Sequence, residues 1–276
     1  MSAIINSKNR HLDLTQPVVM GIINVTPDSF YSKRQGEDVN TLLEIVAIML
    51  KDGATILDIG GASTKPGQCL IHPDEELARV IPAVEAIRRH FPDVWLSVDT
   101  YNSKVAYEAV AAGADIVNDV SSGRFDNEML KTVAKHKVPY IAMHMQGTPE
   151  TMQINPEYDD VVTSVFEYLE DVCKKCETAG IADVIIDPGF GFGKTVAHNF
   201  QLLRTMNQFK PLGKPILAGL SRKSMICKPL KVNPSHALNG TTALNMVALQ
   251  QGANILRVHD VKEAHEVIEL FKLLTS

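Results

Sequence analysis

Polar and charged side chains recur directly after short apolar runs along this chain. In chain order they are Asn24, Asp99, Asn118, Asp119, His144, Asp187, Lys223, Arg257 and His259. A single aspartate in such a position is commonly a helix cap or a turn former. If the strands bring these residues together at one end of the protein, however, carboxylates would lie beside cations. Because burying unpaired charge is costly, such a cluster suggests a site for a polar ligand.

Eight apolar runs predict the β-strands that position these residues, and they are continuously apolar, as expected of strands covered on both faces. The predicted strands are 18–24, 55–59, 95–99, 116–119, 140–144, 184–187, 216–219 and 255–258. Amphipathic stretches predict helices at 40–51, 73–90, 103–112, 126–136, 158–179, 198–207, 235–251 and 261–274. This alternation predicts an α/β fold, the (β/α)8 TIM barrel, whose active site lies at the C-terminal strand ends.

An internal repeat supports the barrel. The segments DGATILDIG, AGADIVNDV, AGIADVIID and QGANILRVHD each carry a glycine shortly before a strand. Successive copies are separated by about the length of two β/α units. The repeat therefore falls at every second predicted strand. A doubly wound open sheet, the alternative fold, does not predict this spacing. Since no Pro/Gly/Ser-rich linker interrupts the chain, we expect a single domain over residues 1–276.

Charge and composition exclude several classes of protein. The net charge of −5 argues against a general nucleic-acid binder, which would carry a basic face. No apolar run approaches the roughly 18–20 residues of a membrane helix, and the N-terminus lacks the apolar core of a secretory signal. Four scattered cysteines do not make a disulfide framework. We therefore expect a cytoplasmic protein without a membrane or nucleic-acid partner.

Cys173 and Cys176 form a C-x-x-C pair that suggests a metal or redox site. The alternative is core packing, because both lie at helical spacing with Val162, Phe166 and Leu169. No second pair completes a zinc site, and cysteine is often simply buried. We favour the packing interpretation.

The segment DPGFGFGKT suggests a phosphate-binding P-loop, but its spacing fails. Gly193-Lys194-Thr195 fits the end of that motif, whereas the position five residues before Gly193 is Pro188 rather than glycine. Proline also lacks the backbone N–H that a phosphate cradle needs. The glycines alternate by two, so the dinucleotide fingerprint G-x-G-x-x-G is absent as well. An NTPase is excluded on these grounds.

Eight segments, in this order, resemble the dihydropteroate synthase family. They are NVTPDSF at 24–30, GGASTKPG at 60–67, SVDT at 97–100, ND at 118–119, MHMQG at 143–147, DPGFGFGK at 187–194, SRKS at 221–224 and RVHD at 257–260. Each motif alone is weak, but the whole series follows every predicted strand from first to last. The resemblance implies a (β/α)8 barrel that is commonly a homodimer.

The resemblance implies a pterin site deep in the barrel mouth, with Asp187 as the principal acceptor. An aminopterin edge presents adjacent N–H donors, which a carboxylate accepts in bidentate fashion. The other matched pterin contacts are Asp99, Asn118, Met143, Phe192, Gly219 and Lys223.

A pyrophosphate site is implied at the outer end of the pterin, formed by Arg257, His259 and Asn24. The resemblance places Mg²⁺ beside Asn24, and this ion commonly takes few protein ligands and keeps several waters. Asp28 would order the first loop and the metal waters. The implied catalytic set is Asn24, Asp28, Lys223, Arg257 and His259.

The p-aminobenzoate site of the family matches two loops and the start of a helix. Its matched residues are Phe30, Ser63, Thr64, Pro66 and Ser224. Sulfonamides mimic p-aminobenzoate and target this family. The second loop departs from the family's usual GGESTRPG, because Ala62 replaces glutamate and Lys65 replaces arginine. An ammonium stacks on an aromatic ring less well than a guanidinium does.

The activity implied is the joining of 6-hydroxymethyl-7,8-dihydropterin pyrophosphate to p-aminobenzoate, a step of folate biosynthesis. Pyrophosphate would leave first, and the amine would then attack the resonance-stabilised pterin cation. A pterin-binding methyltransferase barrel is one alternative, although it needs no pyrophosphate site. A pterin-binding barrel that has lost catalysis is the other. It is suggested by the altered second loop and by the first loop, which continues Tyr31-Ser32-Lys33-Arg34 where the family often has Ser-Asp-Gly-Gly.

Overall fold

A computed structural model describes residues 3–25, 35–62 and 71–275 of the chain. Ten strands lie within these ranges: β1 (Ile4–Ser7), β2 (Arg10–Asp13), β3 (Val18–Asn24), β4 (Ala54–Gly60), β5 (Trp95–Asp99), β6 (Ile116–Asp119), β7 (Tyr140–Met143), β8 (Val184–Asp187), β9 (Leu217–Ala218) and β10 (Ile255–Val258). Strands β3 to β10 form one parallel sheet, and β1 pairs with β2 in a separate antiparallel hairpin.

The parallel sheet closes on itself. Its hydrogen-bonded order runs β8-β7-β6-β5-β4-β3-β10-β9, and a parallel bridge between Ile186 and Ile216 joins the two ends. The (β/α)8 barrel expected from the sequence is thereby confirmed, with all eight predicted barrel strands in place. The seventh is shorter than expected, because only Leu217 and Ala218 pair along its length.

Helices follow the barrel strands and cover the outside. They are α1 (Gln35–Lys51), α2 (Pro73–His90), α3 (Ser103–Ala112), α4 (Met129–His136), α5 (Val161–Ala179), α6 (Val196–Arg204), α7 (Ser224–Leu230), α8 (Leu238–Gln250) and α9 (Val261–Thr275). Two 3-10 turns, Met206–Leu212 and Pro234–His236, precede β9 and α8. In the described part of the chain, no helix is long and apolar enough to cross a membrane.

The glycines of the internal repeat end helices or turns, as expected. Gly53, Gly113, Gly180 and Gly252 all have positive φ values, between 88° and 127°. A residue with a Cβ rarely adopts this conformation, so glycine ends the helix at least cost and lets the next strand begin.

Cys173 and Cys176 lie on α5 and are free thiols. Cys176 is fully buried in the main core between helices and barrel, and Cys173 packs against the same core. The packing interpretation of the pair is therefore supported.

The barrel interior is built in layers. One ring of inward-facing residues is entirely apolar and consists of Met20, Ile56, Trp95, Ile116, Ile141, Ile185, Leu217 and Ile255. Strand side chains alternate between faces, so the residues two positions later also point inward. This second ring is Ile22, Asp58, Ser97, Asn118, Met143, Asp187, Gly219 and Arg257. An apolar floor thus supports a largely polar layer at the C-terminal end of the barrel.

Candidate active site

Arg257 on β10 forms hydrogen bonds with acidic side chains of two other strands, β4 and β5. Its Nε donates a 2.6 Å hydrogen bond to Asp58 Oδ2, and its Nη2 donates another of 2.6 Å to Asp99 Oδ2. Burial lowers the pKa of Arg257, but the carboxylates of Asp58 and Asp99 outweigh burial and raise it above its ordinary value. The guanidinium is therefore a fixed cation at the centre of the mouth.

Asp58 also binds the neighbouring amide. Asn118 Nδ2 donates to Asp58 Oδ2 at 3.0 Å. Since the amide nitrogen faces Asp58, the Asn118 carbonyl oxygen is left as the acceptor of this side chain. Asp58, Asp99, Asn118 and Arg257 therefore form one hydrogen-bonded group, built from β4, β5, β6 and β10.

Asp99 holds a proton more tightly than an ordinary carboxylic acid. Burial raises its pKa to about 7, although Arg257 acts in the opposite direction. The nearby carboxylates Asp58, Glu76 and Asp119 raise it further. Asp99 is thus poised to change charge near neutral pH.

Asp187 and Lys223 face each other across the mouth from Asp99. Asp187 Oδ1 accepts from the backbone N–H of Gly189 at 2.7 Å, and burial raises the pKa of this carboxyl while Lys223 lowers it. Lys223 Nζ donates to Phe190 O at 2.5 Å and lies 4.8 Å from the centroid of the Phe192 ring. Burial lowers the pKa of Lys223 to about 8. The pair offers an acceptor, a donor and an apolar wall within one small volume.

His259 lies at the rim and is neutral at pH 7, because burial lowers its pKa to about 4. Its Nδ1 is 3.0 Å from Ser221 Oγ, which also accepts from the His259 backbone N–H at 3.2 Å. With the hydroxyl donating to Nδ1, the ring proton belongs on Nε2. Beside it, Arg222 binds Asp260 through Nε at 3.0 Å and Nη2 at 2.5 Å, which ties the loop after β9 to the end of β10.

Lys194 points into the protein and not toward a phosphate site. Its Nζ lies 2.8 Å from Gly189 O, 3.0 Å from Phe192 O and 2.9 Å from His144 Nδ1. Burial lowers the pKa of Lys194 well below its ordinary value, although Asp187 acts in the opposite direction. With His144 O at 3.3 Å, four acceptors surround Nζ, enough to satisfy all three N–H groups of an ammonium. Burial also lowers the pKa of His144 to about 2, so its imidazole is neutral and can accept through Nδ1.

An apolar cluster completes the wall of the mouth. Its members are Tyr101, Val120, Met143, Met145 and Met152, with Ala62, Phe125 and Phe192 packed against them. Ala62, which replaces the glutamate usual in the resembling family, therefore adds to an apolar surface. The wall can accommodate the flat face of an aromatic ligand.

The structure brings together most of the residues predicted from the sequence. Those that meet at the mouth are Asp99, Asn118, Met143, Asp187, Phe192, Gly219, Lys223, Arg257 and His259. Asn24 is exposed at the end of β3, and Ser224 is exposed at the start of α7. Asp28, Phe30, Ser63, Thr64, Lys65 and Pro66 lie outside the described residues.

Asp119 and His144 are strand-end residues whose side chains serve the scaffold. Asp119 is fully buried and accepts from Tyr140 Oη, Ser121 Oγ and the backbone N–H groups of Ser121 and Gly123. His144 accepts from Lys194, as described above. Both shape the loops at the mouth.

Asp58 was not predicted as a site residue. Within TILDIG it reads as one polar residue inside an apolar strand. Alternation was the available signal: Asp58 follows inward-facing Ile56 by two positions, as Asn118 follows Ile116 and Asp187 follows Ile185.

The comparisons with known proteins agree with this geometry. A family model described as "Pterin binding enzyme" matches residues 20–259. The fold and the polar ring above an apolar floor accordingly define a pterin-binding (β/α)8 enzyme. The dihydropteroate synthase of Escherichia coli (strain K12) is 46% identical over 270 residues, which cover 96% of this chain and 94% of that protein. This chain belongs to the dihydropteroate synthase family.

Solved structures show the same likeness. The Yersinia pestis dihydropteroate synthase in complex with a sulfonamide drug has a TM-score of 0.93 and 43% identity, covering 99% of both chains. The Xanthomonas albilineans dihydropteroate synthase with 4-aminobenzoic acid has a TM-score of 0.91 and 40% identity, covering 100% of this chain and 99% of that one.

Proposed function

We propose that the chain condenses 6-hydroxymethyl-7,8-dihydropterin pyrophosphate with p-aminobenzoate, giving 7,8-dihydropteroate and pyrophosphate in folate biosynthesis. The observation that carries this proposal is the mouth itself, where Asp99, Asn118, Asp187, Lys223 and Arg257 surround one volume above an apolar floor. Family membership at 46% identity over nearly the whole chain supports the same reaction.

The pterin lies between Asp187 and Asp99 in this proposal. The carboxylate of Asp187 accepts from the amino and ring N–H groups, with Asp99 and Asn118 beside it. Lys223 donates to the acceptor edge. Met143 and Phe192 supply flat apolar contacts, and Gly219 lacks a side chain that would intrude. The short distance between Lys223 and Phe190 O supports this arrangement, because it holds the ammonium at the mouth.

The pyrophosphate lies at the rim, against Arg257 and His259. Nε and Nη2 of Arg257 are used by aspartates, but its side chain keeps 20% of its surface exposed, and further N–H groups remain for an anion. His259 is neutral in the structure, and its Nε2–H is a donor. A bound pyrophosphate would raise the pKa of this imidazole and strengthen the contact.

Magnesium fits the chemistry of the rim beside Asn24. The exposed amide oxygen of this residue is a hard donor, and Mg²⁺ accepts a single protein ligand together with waters and phosphate oxygens. Among the described residues, no group of three His, Cys, Asp or Glu side chains could hold a metal, so substrate oxygens would supply most of its ligands. The bound ion would neutralise charge on the departing pyrophosphate. Asp28 would order the neighbouring loop.

The p-aminobenzoate is proposed to contact Phe30, Ser63, Thr64 and Pro66, with its carboxylate at Ser224. The exposed position of Ser224, five residues after Gly219 of the second ring, supports this assignment. Sulfonamides would compete for the same place, since structural neighbours were solved with a sulfonamide and with 4-aminobenzoic acid.

Electrostatics favours a mechanism in which ionisation comes first. With all groups charged, Asp58, Asp99 and Asp187 contribute three negative charges, and Lys223 and Arg257 contribute two positive charges. A net charge of about −1 in a buried, preorganised pocket stabilises a pterin cation more than a neutral ground state. The catalytic set Asn24, Asp28, Lys223, Arg257 and His259 then binds the leaving group and orients the pterin for attack by the amine.

We further propose that residues 1–276 act as a single domain and that two copies form a homodimer in the cytoplasm. The family match over residues 20–259 supports the single domain. Sedimentation equilibrium tests the dimer, and a monomeric mass at micromolar concentration would contradict it.

A steady-state pyrophosphate-release assay tests the proposed reaction. The purified chain is supplied with the dihydropterin pyrophosphate and Mg²⁺, with p-aminobenzoate first omitted and then restored. We expect release that depends on p-aminobenzoate and forms dihydropteroate in equal amount. A methyltransferase barrel or an inactive pterin-binding protein would release none, and that result would overturn the proposal.

A further inference from the structure

Asp58 is fully buried in the second ring, the same ring that holds residues of the proposed pterin and pyrophosphate sites, among them Asn118, Asp187 and Arg257. Its Oδ2 accepts from Arg257 Nε at 2.6 Å and from Asn118 Nδ2 at 3.0 Å. Since none of its surface is exposed, Asp58 cannot touch a substrate in the mouth. It can act on the reaction without contact, through its hydrogen bonds to Arg257 and Asn118 and through its charge.

We infer that Asp58 is a positioning residue that sets the orientation of both the Arg257 guanidinium and the Asn118 amide for the pterin site. This inference rests on the proposed function. One carboxylate oxygen on β4 binds two side chains, Asn118 on β6 and Arg257 on β10, which lie two strands away on either side of it. The guanidinium plane is held at Nε by Asp58 and at Nη2 by Asp99, so it cannot rotate. The amide is held by its nitrogen, so its oxygen faces the mouth as an acceptor.

If its role were only structural, a buried aspartate at position 58 would be unfavourable for the stability of the fold. Within the described ranges, its Oδ1 has no hydrogen-bond partner although the atom is buried. Burial of a half-satisfied carboxylate is unfavourable, and replacing Asp58 leaves Arg257 with a second charged partner, Asp99. Strand neighbours in the same register are Ile22 and Ser97, which are neutral. An acid between two neutral neighbours points to a function in the mouth.

The charge of Asp58 matters as well as its hydrogen bonds. An asparagine there would remove one of the three negative charges beside Lys223 and Arg257. The pocket would lose its net negative charge, and the pterin cation would lose stabilisation relative to the ground state. The inference therefore predicts a loss in turnover that is not accompanied by a loss in stability.

Asp115 provides a matched control. It is also a buried carboxylate bound by guanidinium groups, with Arg10 Nη1 at 2.9 Å and Arg88 Nη2 at 2.6 Å. Its Oδ2 also accepts from the backbone N–H of Leu96 at 3.0 Å. It precedes β6, at the opposite end of the barrel from the mouth. Asp115→Asn should therefore weaken the fold without affecting the mouth.

The experiment compares the wild type, Asp58→Asn and Asp115→Asn in pyrophosphate release and thermal unfolding. For Asp58→Asn we expect kcat to fall by about tenfold or more, the KM for p-aminobenzoate to stay within about twofold, and the melting temperature not to fall. For Asp115→Asn we expect a lower melting temperature and an unchanged kcat. A variant Asp58→Ser, which keeps a hydroxyl acceptor but no charge, should behave like Asp58→Asn.

The outcomes separate the inference from the proposed function. No release by the wild type would overturn the proposed function. Normal release by the wild type and by Asp58→Asn would overturn the inference alone. Failure of both Asp58 variants to fold, or a loss of activity that only follows a loss of stability, would assign Asp58 to the scaffold and overturn the inference as well.

Discussion

At the scale of single residues, Asp99 and Lys223 have pKa values close to neutral pH, one raised and the other lowered from its ordinary value. Burial raises the pKa of Asp99 to about 7 and lowers that of Lys223 to about 8. Asp99 accepts from the pterin most strongly as a carboxylate, and Lys223 donates to it most strongly as an ammonium. Asp99 and Lys223 are therefore both charged only in a narrow range of pH, between their two pKa values. The pH dependence of pterin binding can test whether these two residues contact the pterin.

Pterin affinity should accordingly follow a bell-shaped pH profile. Calorimetry with a hydroxymethyl-dihydropterin that lacks phosphate avoids titration of the leaving group. We expect affinity to fall by up to about tenfold per pH unit below pH 7, where Asp99 becomes protonated, and to fall again above pH 8, where Lys223 loses its proton. Asp99→Asn should abolish the acid limb, while the exposed control Asp159→Asn should keep it. An acid limb that survives in Asp99→Asn would assign it to another group.

The same substitution makes a prediction for stability. Because the folded pKa of Asp99 lies above its ordinary 3.8, its contribution to stability is complete below about pH 4 and is lost as the pH rises through 7. Thermal unfolding should show Asp99→Asn gaining stability relative to the wild type between pH 5 and pH 8. A constant difference would contradict the raised pKa.

At the scale of elements, the loop between β8 and α6 is organised from within by Lys194. The ammonium binds two carbonyls of its own loop and the imidazole of His144 at the end of β7. The sequence excludes a P-loop here, but it cannot reveal that the lysine points inward. That orientation depends on His144, fifty residues away in the chain. The loop in turn presents Phe192 to the mouth and the Phe190 carbonyl to Lys223.

Lys194→Met should therefore weaken both the fold and the pterin site. Methionine fills similar space but leaves buried carbonyls without a donor, at a cost of about 1–3 kcal/mol in the free energy of unfolding. We expect pterin affinity to fall by about tenfold as Phe192 and Lys223 shift, measured by calorimetry. Thr195→Ala is the control, because Thr195 caps α6 through the His198 N–H and its loss costs about 1 kcal/mol of stability. Equal affinities in the two variants would show that Lys194 does not position the site.

At the scale of the whole molecule, the N-terminal hairpin closes the end of the barrel opposite the mouth. Ile5 and Leu14 pack against the apolar ring of the eight strands and complete it from below. The eight barrel strands were predicted correctly because each is a strong apolar run. The hairpin was not, since β1 and β2 have four residues each and are stabilised by contacts with distant segments, such as Asn6 with Asp183. Short-range patterns carry no information about such contacts.

Arg10 is one of the polar links between this hairpin and the barrel, and its removal should affect stability alone. Arg10 Nη1 donates to Asp115 Oδ2 at 2.9 Å and to Val94 O at 3.1 Å, and its guanidinium lies 4.8 Å from the Trp95 ring. In Arg10→Ala, Asp115 keeps Arg88 and the Leu96 N–H, so its charge stays paired. We expect the free energy of unfolding, measured by chemical denaturation, to fall by about 1–3 kcal/mol, the usual value for a charged hydrogen bond, with kcat unchanged.

The control for this prediction is the exposed Arg89→Ala, which should change the free energy of unfolding by less than about 0.5 kcal/mol. A fall in kcat for Arg10→Ala at a temperature where the variant is fully folded would mean that the floor of the barrel transmits strain to the mouth.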